Sequence, residues 1–304
     1  MWRARKNLTD KIMEESKNIY RVEDYADYEV RPDVLNYDDI RQMVPKLDGH
    51  PKLVNWLLHF LAVDKVNRVH AACCDTPGPK FVERLLFEQF KIKLHVDGEE
   101  VLSRFPEGPF ITVSNHPFGA LDGIMLIYLL TKYRPKYRVM VNMILNKITA
   151  MRPNFIAVDA WASNDPAKRA VSVAGIRRAI KQLREGEPVG FFPAGAMSKT
   201  TMHHGLQDRE WQPSVLQIIH RAKVPVIPIY FHGSNSWWCN LLGHICWPAR
   251  SLRLPAEVFR KVGHDMHVSV GEPISVEEQA AHGATPEELG KFLRERTYEL
   301  RERK

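Results

Sequence analysis

Residues 109–123 read PFITVSNHPFGALDG, an apolar run that ends in a polar turn containing glycine. The run at 110–113 has the β-branched and aromatic composition of a buried strand, and the apolar residues from 121 onward predict a helix. His116 therefore lies where a buried strand reaches the surface and turns toward a helix. Such a unit is typical of layered α/β domains.

The same alternation continues along the chain. Further strands are predicted over residues 138–143, 155–158, 189–192 and 224–231, and helices over 121–131, 166–185 and 212–222. A last helix, predicted to lie on the surface, begins at the capping box TPEE, residues 285–288. We therefore predict a layered α/β domain over residues 92–304, with a largely parallel sheet flanked by helices.

Residues 1–91 form a different region. Residues 1–50 are polar and are predicted to be an extension without a core of its own, and two helices are predicted between residues 50 and 91. The first helix has one broad apolar face, made of Leu53, Trp56, Leu57, Phe60 and Leu61. Such a face is more typical of a packed core than of a membrane contact, and both interpretations stay open.

The turn at 114–123 carries a histidine and a carboxylate, His116 and Asp122. An imidazole whose tautomer is fixed by a carboxylate can act as a general base toward a hydroxyl or an amine. This chemistry is typical of acyl transfer. The structural alternative is that Asp122 only caps the following helix and that His116 is an ordinary loop residue.

A second turn follows another predicted strand, in the segment PVGFFPAGAMSK at 188–199. Gly195 lies between two alanines, so backbone N–H groups there could approach an anion or a developing oxyanion closely. An ordinary turn would look the same. A third apolar strand, at 224–231, leads into HGSNS at 232–236.

In this order, the three segments resemble the glycerolipid (lysophospholipid) acyltransferase superfamily, the PlsC-like proteins, over roughly residues 80–275. The superfamily motifs are NHxxxxD and FPEGTRS. The pattern here is similar to the hemolysin-like branch that includes ornithine-lipid O-acyltransferases, with NHPxGxxDG, FPAGxxS and a GxNS turn. The resemblance implies an acyltransferase fold in which His116 and Asp122 are catalytic. The substrate-binding residues that we predict are Asn115, Gly119, Arg152, Ala194, Gly195, Ser198, Lys199, Asn235 and Ser236.

The chain departs from the superfamily pattern at two places. Five residues separate His116 from Asp122 instead of four, and Ala194 and Met197 stand where the second motif has glutamate and arginine. Those two residues are associated in the superfamily with a glycerol-phosphate acceptor. The resemblance therefore implies a lysolipid acceptor with a neutral or amino-acid head, whose single carboxylate could pair with Lys199 and Arg152.

The predicted reaction moves an acyl group from a thioester, carried by acyl carrier protein or coenzyme A, to the acceptor hydroxyl or amine. The thioester is already activated, so we predict no metal or redox cofactor. The chain has no Gly-x-Ser-x-Gly segment and no other credible nucleophile, which favours direct transfer. Two alternatives stay open: a non-catalytic lipid or acyl-chain binding protein, and a thioesterase in which His116 activates water.

Composition bears on the partners and the location. The net charge of +7 and the basic segment KYRPKYR at 132–138 favour an anionic membrane surface over nucleic acid, for which no motif is present, although an ordinary solvated loop would read the same. The N-terminal residues lack the apolar core of a signal peptide, and no segment approaches the ~20 apolar residues of a spanning helix. We predict a cytoplasmic protein, peripheral on the inner face of the cytoplasmic membrane.

Three smaller features complete the predictions. The four cysteines match no zinc pattern or disulfide framework and are predicted to be reduced thiols. The histidines at 203–204 and at 264 and 267 lack ligands at metal-binding spacing, so we predict no metal site. Trp237 and Trp238 could line an acyl tunnel, lie at a lipid interface or pack beneath a loop.

Overall fold

Short apolar runs form the strands of a central sheet. The computed structural model of the chain describes residues 29–159, 166–201, 205–245 and 247–303. Its strands are β1 Lys93–Asp97, β2 Ile111–Ser114, β3 Arg138–Asn142, β4 Phe155–Val158, β5 Val189–Phe191, β6 Lys199–Thr201, β7 Gly205–Gln207, β8 Val226–His232 and β9 Asp265–Val270. Seven of these form one sheet in the order β1-β9-β8-β2-β5-β3-β4, and β6 and β7 form a separate antiparallel hairpin.

The sheet is mostly parallel, which confirms the predicted fold class. Strands β8, β2, β5, β3 and β4 run in one direction, whereas β9 is antiparallel to β8 and β1 is parallel to β9. The carboxyl ends of the parallel strands therefore share one edge of the sheet, which we call the carboxyl edge. The turn that carries His116 follows β2 at this edge.

Helices cover both faces of the sheet, as predicted for a layered fold. They are α1 Tyr37–Met43, α2 Pro51–Phe60, α3 Val63–Ala71, α4 Pro79–Arg84, α5 Glu99–Leu102, α6 Ala120–Thr131, α7 Pro166–Arg184, α8 Pro213–Ala222, α9 Trp237–Ile245, α10 Trp247–Phe259, α11 Val276–His282 and α12 Pro286–Glu299. A π-helical segment, Leu85–Gln89, continues α4. One core contains α4 and α6, and the other contains α7, α8 and α12.

The N-terminal helices correct two predictions. Between α2 and α4 the chain forms α3, which the sequence did not predict, after a break at Ala62, whose φ is +59°. Helix α2 buries Val54 and Leu58, while Leu53, Trp56 and Phe60 of the predicted apolar face are 46%, 58% and 69% exposed. The core interpretation of these three side chains was therefore wrong, because α1 and the preceding residues pack on the other side of α2.

The C-terminal helix α12 begins at the predicted capping box, where Thr285 accepts a hydrogen bond from the N–H of Glu288. Leu289 and Leu293 are buried in the core, while Glu287, Lys291 and Glu295 are exposed. A Cβ at Gly290 would lie 2.5 Å from Leu216 Cδ1, so α12 approaches α8 closely at a residue without a side chain. The predicted surface position is thus confirmed, because one face of α12 packs on the domain and the other faces solvent.

The basic segment at 132–138 is largely engaged within the fold. Arg134 donates hydrogen bonds to the carbonyls of Pro106, Gly108 and Gly186, and Tyr137 is fully buried. The segment precedes β3, so it lies at the edge of the sheet opposite the carboxyl edge. Its predicted contact with anionic lipid stays a prediction.

Candidate active site

His116 and Asp122 meet in the turn between β2 and α6. His116 Nδ1 lies 3.0 Å from Asp122 Oδ2, a distance that fits an ion pair although the two groups are not aligned for a linear hydrogen bond. Asp122 is fully buried, and its Oδ2 accepts hydrogen bonds from the N–H groups of Phe118 and Gly119, at 2.9 and 3.0 Å. Gly119 has a φ of +82°, which accommodates the additional residue of the turn.

The electrostatics of the pair suit an acid–base role. Burial raises the pKa of Asp122, and the nearby His116 and the two N–H donors oppose that rise. A carboxylate beside Nδ1 favours the tautomer in which Nδ1 carries the proton, which leaves Nε2 free to accept one. The His116 side chain is 19% exposed and lies against Phe192, with ring centroids 4.2 Å apart. The imidazole is thus held on one side and reachable on the other.

A second pair of residues holds the main chain of His116. Ser198 donates its N–H to the His116 carbonyl at 2.9 Å, and Asp208 Oδ1 accepts the His116 N–H at 3.2 Å. Ser198 Oγ in turn donates to Asp208 Oδ1 at 2.6 Å. The sequence predicted Ser198 at the site but missed Asp208, which lies 92 positions from His116 and belongs to no local motif.

The turn at 194–198 lies beside this pair. Gly195 has a φ of +63°, and its N–H donates to the Phe192 carbonyl at 2.9 Å, so this amide is engaged within the turn. Ala194 is buried. In the part of the chain that the structure describes, the N–H groups of Ala196 and Met197 have no protein acceptor. Any backbone donor that this turn offers to an oxyanion therefore comes from those two residues instead of Gly195.

Three predicted polar residues have partners in the fold. Asn115 is buried and exchanges two hydrogen bonds with the main chain of Phe231, which joins β2 to β8. Asn235 donates to the Pro117 carbonyl at 3.2 Å, beside the His116 turn. Ser236 is held by the buried Glu257 through both its N–H and its hydroxyl. The substrate roles of these three residues stay predictions.

Positive charges gather around Ser198. Lys199 follows it in the chain, Arg209 follows Asp208, and Arg250, which is only 3% exposed, donates to the Ser198 carbonyl at 2.8 Å. Partial burial and the charges of Arg209 and Arg250 lower the pKa of Lys199. No carboxylate forms an ion pair with any of these three cations within the described residues. The sequence predicted Lys199 but missed the two arginines.

The last predicted binding residue, Arg152, lies apart from these cations in the chain. It follows β3 and donates through Nε to the Asn146 carbonyl at 2.9 Å. Among the described residues, no hydrogen bond or ion pair joins Arg152 to the turn at 194–198. Its predicted carboxylate contact stays a prediction.

Large apolar side chains are exposed near the carboxyl edge. Trp237 and Trp238, at the start of α9, are 65% and 60% exposed and meet edge to face, so the interpretation that they pack beneath a loop was wrong. Ile245 and Leu252 continue the exposed surface along α9 and α10. A second set lies on α1, α2 and the segment after β3, and consists of Met43, Val44, Leu53, Trp56, Phe60, Met143 and Ile144.

Some predictions concern features away from the His116 turn. Cys73, Cys74 and Cys239 are free thiols. No three His, Cys, Asp or Glu side chains are grouped to hold a metal ion among the described residues, and His203 and His204 lie outside them. His267 instead stacks on His95.

None of the described helices has both the length and the apolar composition needed to cross a bilayer.

The chain belongs to the acyltransferase family, whose family model matches residues 40–303. The resemblance inferred from the His116 turn and the two later segments is thereby confirmed, and the protein is an acyltransferase.

Two curated relatives are named lyso-glycine lipid O-acyltransferase. The protein from Bacteroides thetaiotaomicron is 27% identical over 270 residues, which cover 86% of this chain and 95% of the relative. The protein from Phocaeicola vulgatus is 25% identical over 256 residues, which cover 82% of this chain and 87% of the relative. Among solved structures, the 1-acyl-sn-glycerophosphate acyltransferase PlsC from Thermotoga maritima matches with 18% identity and a TM-score of 0.49, over 83% of this chain and 90% of that one.

Proposed function

We propose that this acyltransferase moves a fatty acyl group from an acyl thioester to the hydroxyl of a lysolipid whose head group is an amino acid. The observation that carries the proposal is the His116–Asp122 pair, with Asp122 buried beside Nδ1 and the imidazole reachable from solvent. The names of the two curated relatives support a lysolipid with an amino-acid head.

In the proposed reaction, His116 Nε2 takes the proton of the acceptor hydroxyl as its oxygen attacks the thioester carbonyl carbon. The new C–O bond gives a tetrahedral intermediate with a negative oxygen and a protonated imidazole. When the C–S bond breaks, the imidazolium returns its proton to the departing thiolate. Asp122 stabilises the imidazolium between these two steps.

The N–H groups of Ala196 and Met197 are the candidate donors to the negative oxygen. They stand in the turn whose Ser198 is bonded to the His116 carbonyl, so they belong to the same site as the imidazole. Removing one oxyanion donor typically costs about 10²–10³ in rate. The acyl group on acyl carrier protein or coenzyme A is already activated as a thioester, so the proposed transfer needs no further cofactor.

The cations around Ser198 support a carboxylate on the acceptor head. A buried guanidinium such as Arg250 carries a desolvation cost that an anion bound nearby would offset. Lys199 and Arg209 add charge on the two ends of the β6–β7 hairpin, close to His116. An amino acid joined to lipid through its nitrogen presents one carboxylate, which these cations can neutralise.

The exposed apolar side chains support a peripheral contact with a membrane. Trp237, Trp238, Ile245 and Leu252 follow the carboxyl end of β8. The second set of exposed apolar side chains lies on α1, α2 and the segment after β3. Lys147 in that segment donates a hydrogen bond to Asp39 of α1 at 2.6 Å, which holds α1 near the same edge. Both sets thus adjoin the edge where His116 lies. Tryptophan favours the lipid–water interface, where an acceptor with long acyl chains is found.

The test is a transfer assay with purified protein, radiolabelled acyl thioester and a lysolipid pool. We expect label in a diacylated lipid, a loss of about 10²–10⁴-fold in His116→Ala, and a clear loss in Asp122→Asn. His220→Ala, at the far end of α8, is the matched control and should transfer normally. Label in free fatty acid would identify a thioesterase, and unreacted label with bound lipid would identify a non-catalytic binding protein.

A further inference from the structure

We infer that Asp208 is a positioning residue for the reaction, which fixes the main chain of His116 and acts together with Ser198. The inference rests on the proposed function, because it concerns the residues that hold the proposed general base, His116, in place. Asp208 itself does not touch the reacting atoms.

The contacts form a closed ring around the His116 main chain. The N–H of His116 donates to Asp208 Oδ1, and its carbonyl accepts from the Ser198 N–H. The Ser198 hydroxyl closes the ring on Asp208 Oδ1 at 2.6 Å. The peptide groups on both sides of the His116 Cα are thereby fixed, and the direction of the imidazole depends on the backbone dihedrals between them.

Helix α12 holds Asp208 from the opposite side. The Asp208 N–H donates to the Tyr298 hydroxyl at 2.7 Å, and Arg294 donates to the Asp208 carbonyl at 3.1 Å. The Arg294 guanidinium also lies over the Tyr298 ring, 5.1 Å from its centroid. Asp208 is therefore tied to a helix whose apolar face is packed in the core, so the ring around His116 has a rigid support.

Asp208 also contributes charge to the site. The carboxylate is only 6% exposed, and its Oδ2 has no partner among the described residues. Burial raises the pKa of Asp208, while the Ser198 hydroxyl, His116 and Arg294 oppose that rise. Asp208 Oδ1 thus lies between the Ser198 hydroxyl and the His116 N–H, and Arg294 is bonded to the Asp208 carbonyl.

Two substitutions separate the geometric part from the charge. Asp208→Ala removes the acceptor for both Ser198 and the His116 N–H, and we expect kcat to fall about 10- to 100-fold with little change in KM, because small displacements of catalytic groups cost this much. Asp208→Asn keeps an acceptor oxygen and removes the charge. It should restore most of kcat.

A second readout needs no turnover. In the full chain labelled at histidine, the chemical shift of the His116 NMR signal, assigned by its loss in His116→Ala, should move in Asp208→Ala and stay close to its original value in Asp208→Asn. Asp265→Asn, an exposed carboxylate on β9, is the control and should shift neither the signal nor the rate. If the unsubstituted protein transfers no acyl group, the proposed function fails, whereas the chemical shift still tests Asp208.

Tyr298→Phe covers the case in which Asp208→Ala does not fold. It removes only the hydroxyl that accepts the Asp208 N–H, and kcat should fall about threefold with KM unchanged. A purely structural role predicts lower melting temperatures in all the Asp208 and Tyr298 variants, with kcat and the His116 chemical shift unchanged per folded molecule. That result would overturn the inference.

Discussion

The His116 ring lies against the Phe192 ring, with centroids 4.2 Å apart and planes inclined by 31°. Phe192 directly precedes the turn at 193–198. Its ring also lies near that of the buried Phe231, with centroids 6.4 Å apart. The phenyl ring therefore separates the imidazole from the core and limits its rotation. Phe192 thus links His116 to the turn at 193–198.

Replacing Phe192 with leucine tests that relationship. The leucine keeps an apolar side chain but loses the flat surface, so we expect kcat to fall about three- to tenfold, in line with the ~0.5–1.5 kcal/mol of an aromatic contact. Steady-state kinetics measure the effect, and Phe105→Leu, which contacts Phe110 away from the site, is the control. Equal kcat values in the two variants would show that Phe192 does not restrain His116.

Asp39 gives a prediction about acid stability. Burial raises the pKa of its carboxyl, but hydrogen bonds from Arg31 and Lys147 outweigh burial and hold the pKa well below the usual range. The lowered pKa means that this stabilisation is present above the unfolded pKa and is lost as the pH falls toward the folded pKa. Asp39→Asn should therefore cost about 2 kcal/mol of unfolding free energy at neutral pH.

Urea titration at several pH values measures this cost. The difference between the unsubstituted protein and Asp39→Asn should shrink as the pH falls below about 4, where the unfolded carboxyl takes up its proton. Asp38→Asn removes an exposed pair with Arg41 and should cost less than ~0.5 kcal/mol. A difference that stays constant down to the lowest pH would contradict the argument.

The cations around Ser198 predict the acceptor preference. Under the proposed function, a lysolipid with an amino-acid head should be acylated faster than lysophosphatidic acid at equal concentrations, with its carboxylate bound by Lys199 and Arg209. Lys199→Ala and Arg209→Ala should each raise KM for the carboxylate acceptor about tenfold, with smaller changes for an acceptor without charge.

Arg221→Ala, at the end of α8, is the control for these charge deletions. Faster acylation of lysophosphatidic acid would mean that other residues bind a phosphate. Equal KM changes for charged and uncharged acceptors would instead indicate that Lys199 and Arg209 support the turn and do not contact the head group.

The proposed membrane contact can be tested at the two exposed tryptophans. The double substitution of Trp237 and Trp238 by serine should weaken binding to vesicles of phosphatidylglycerol and phosphatidylcholine at least tenfold, because burying each large apolar side chain contributes about 1.5–3 kcal/mol. Co-sedimentation measures binding. Val173→Ser, on α7 and 41% exposed, is the control and should bind normally. Unchanged binding of the double variant would place the contact elsewhere.

The central strands could be predicted because parallel strands are buried on both faces and read as continuous apolar runs, as β8 does. The outer strands could not. In β1, Lys93 and His95 are exposed, and in β9 so are Asp265 and His267, so both segments read as polar. Similarly, the spacing of Leu53, Trp56 and Phe60 predicts a helix but does not say which of its faces meets the domain.

The same limit applies to the site. His116 and Asp122 belong to one short turn, so local sequence reveals them. Asp208 meets His116 across 92 positions of the chain, and Arg250 meets Ser198 across 52, so only the fold brings them together. The main-chain bond of Gly195 is also invisible in the sequence, so the sequence does not show which N–H groups of this turn are free to meet an oxyanion.

The order of strands has a consequence for synthesis on the ribosome. β1 is synthesised long before its neighbour β9, since Lys93 pairs with Asp265, and the Asp208 amide has no partner until Tyr298 of α12 is made. A nascent chain released before residue 270 cannot complete the sheet, and one released before residue 298 lacks the hydroxyl that holds Asp208. Contacts this distant in sequence slow folding, so the partly made chain is exposed to proteases and chaperones until these later residues have emerged.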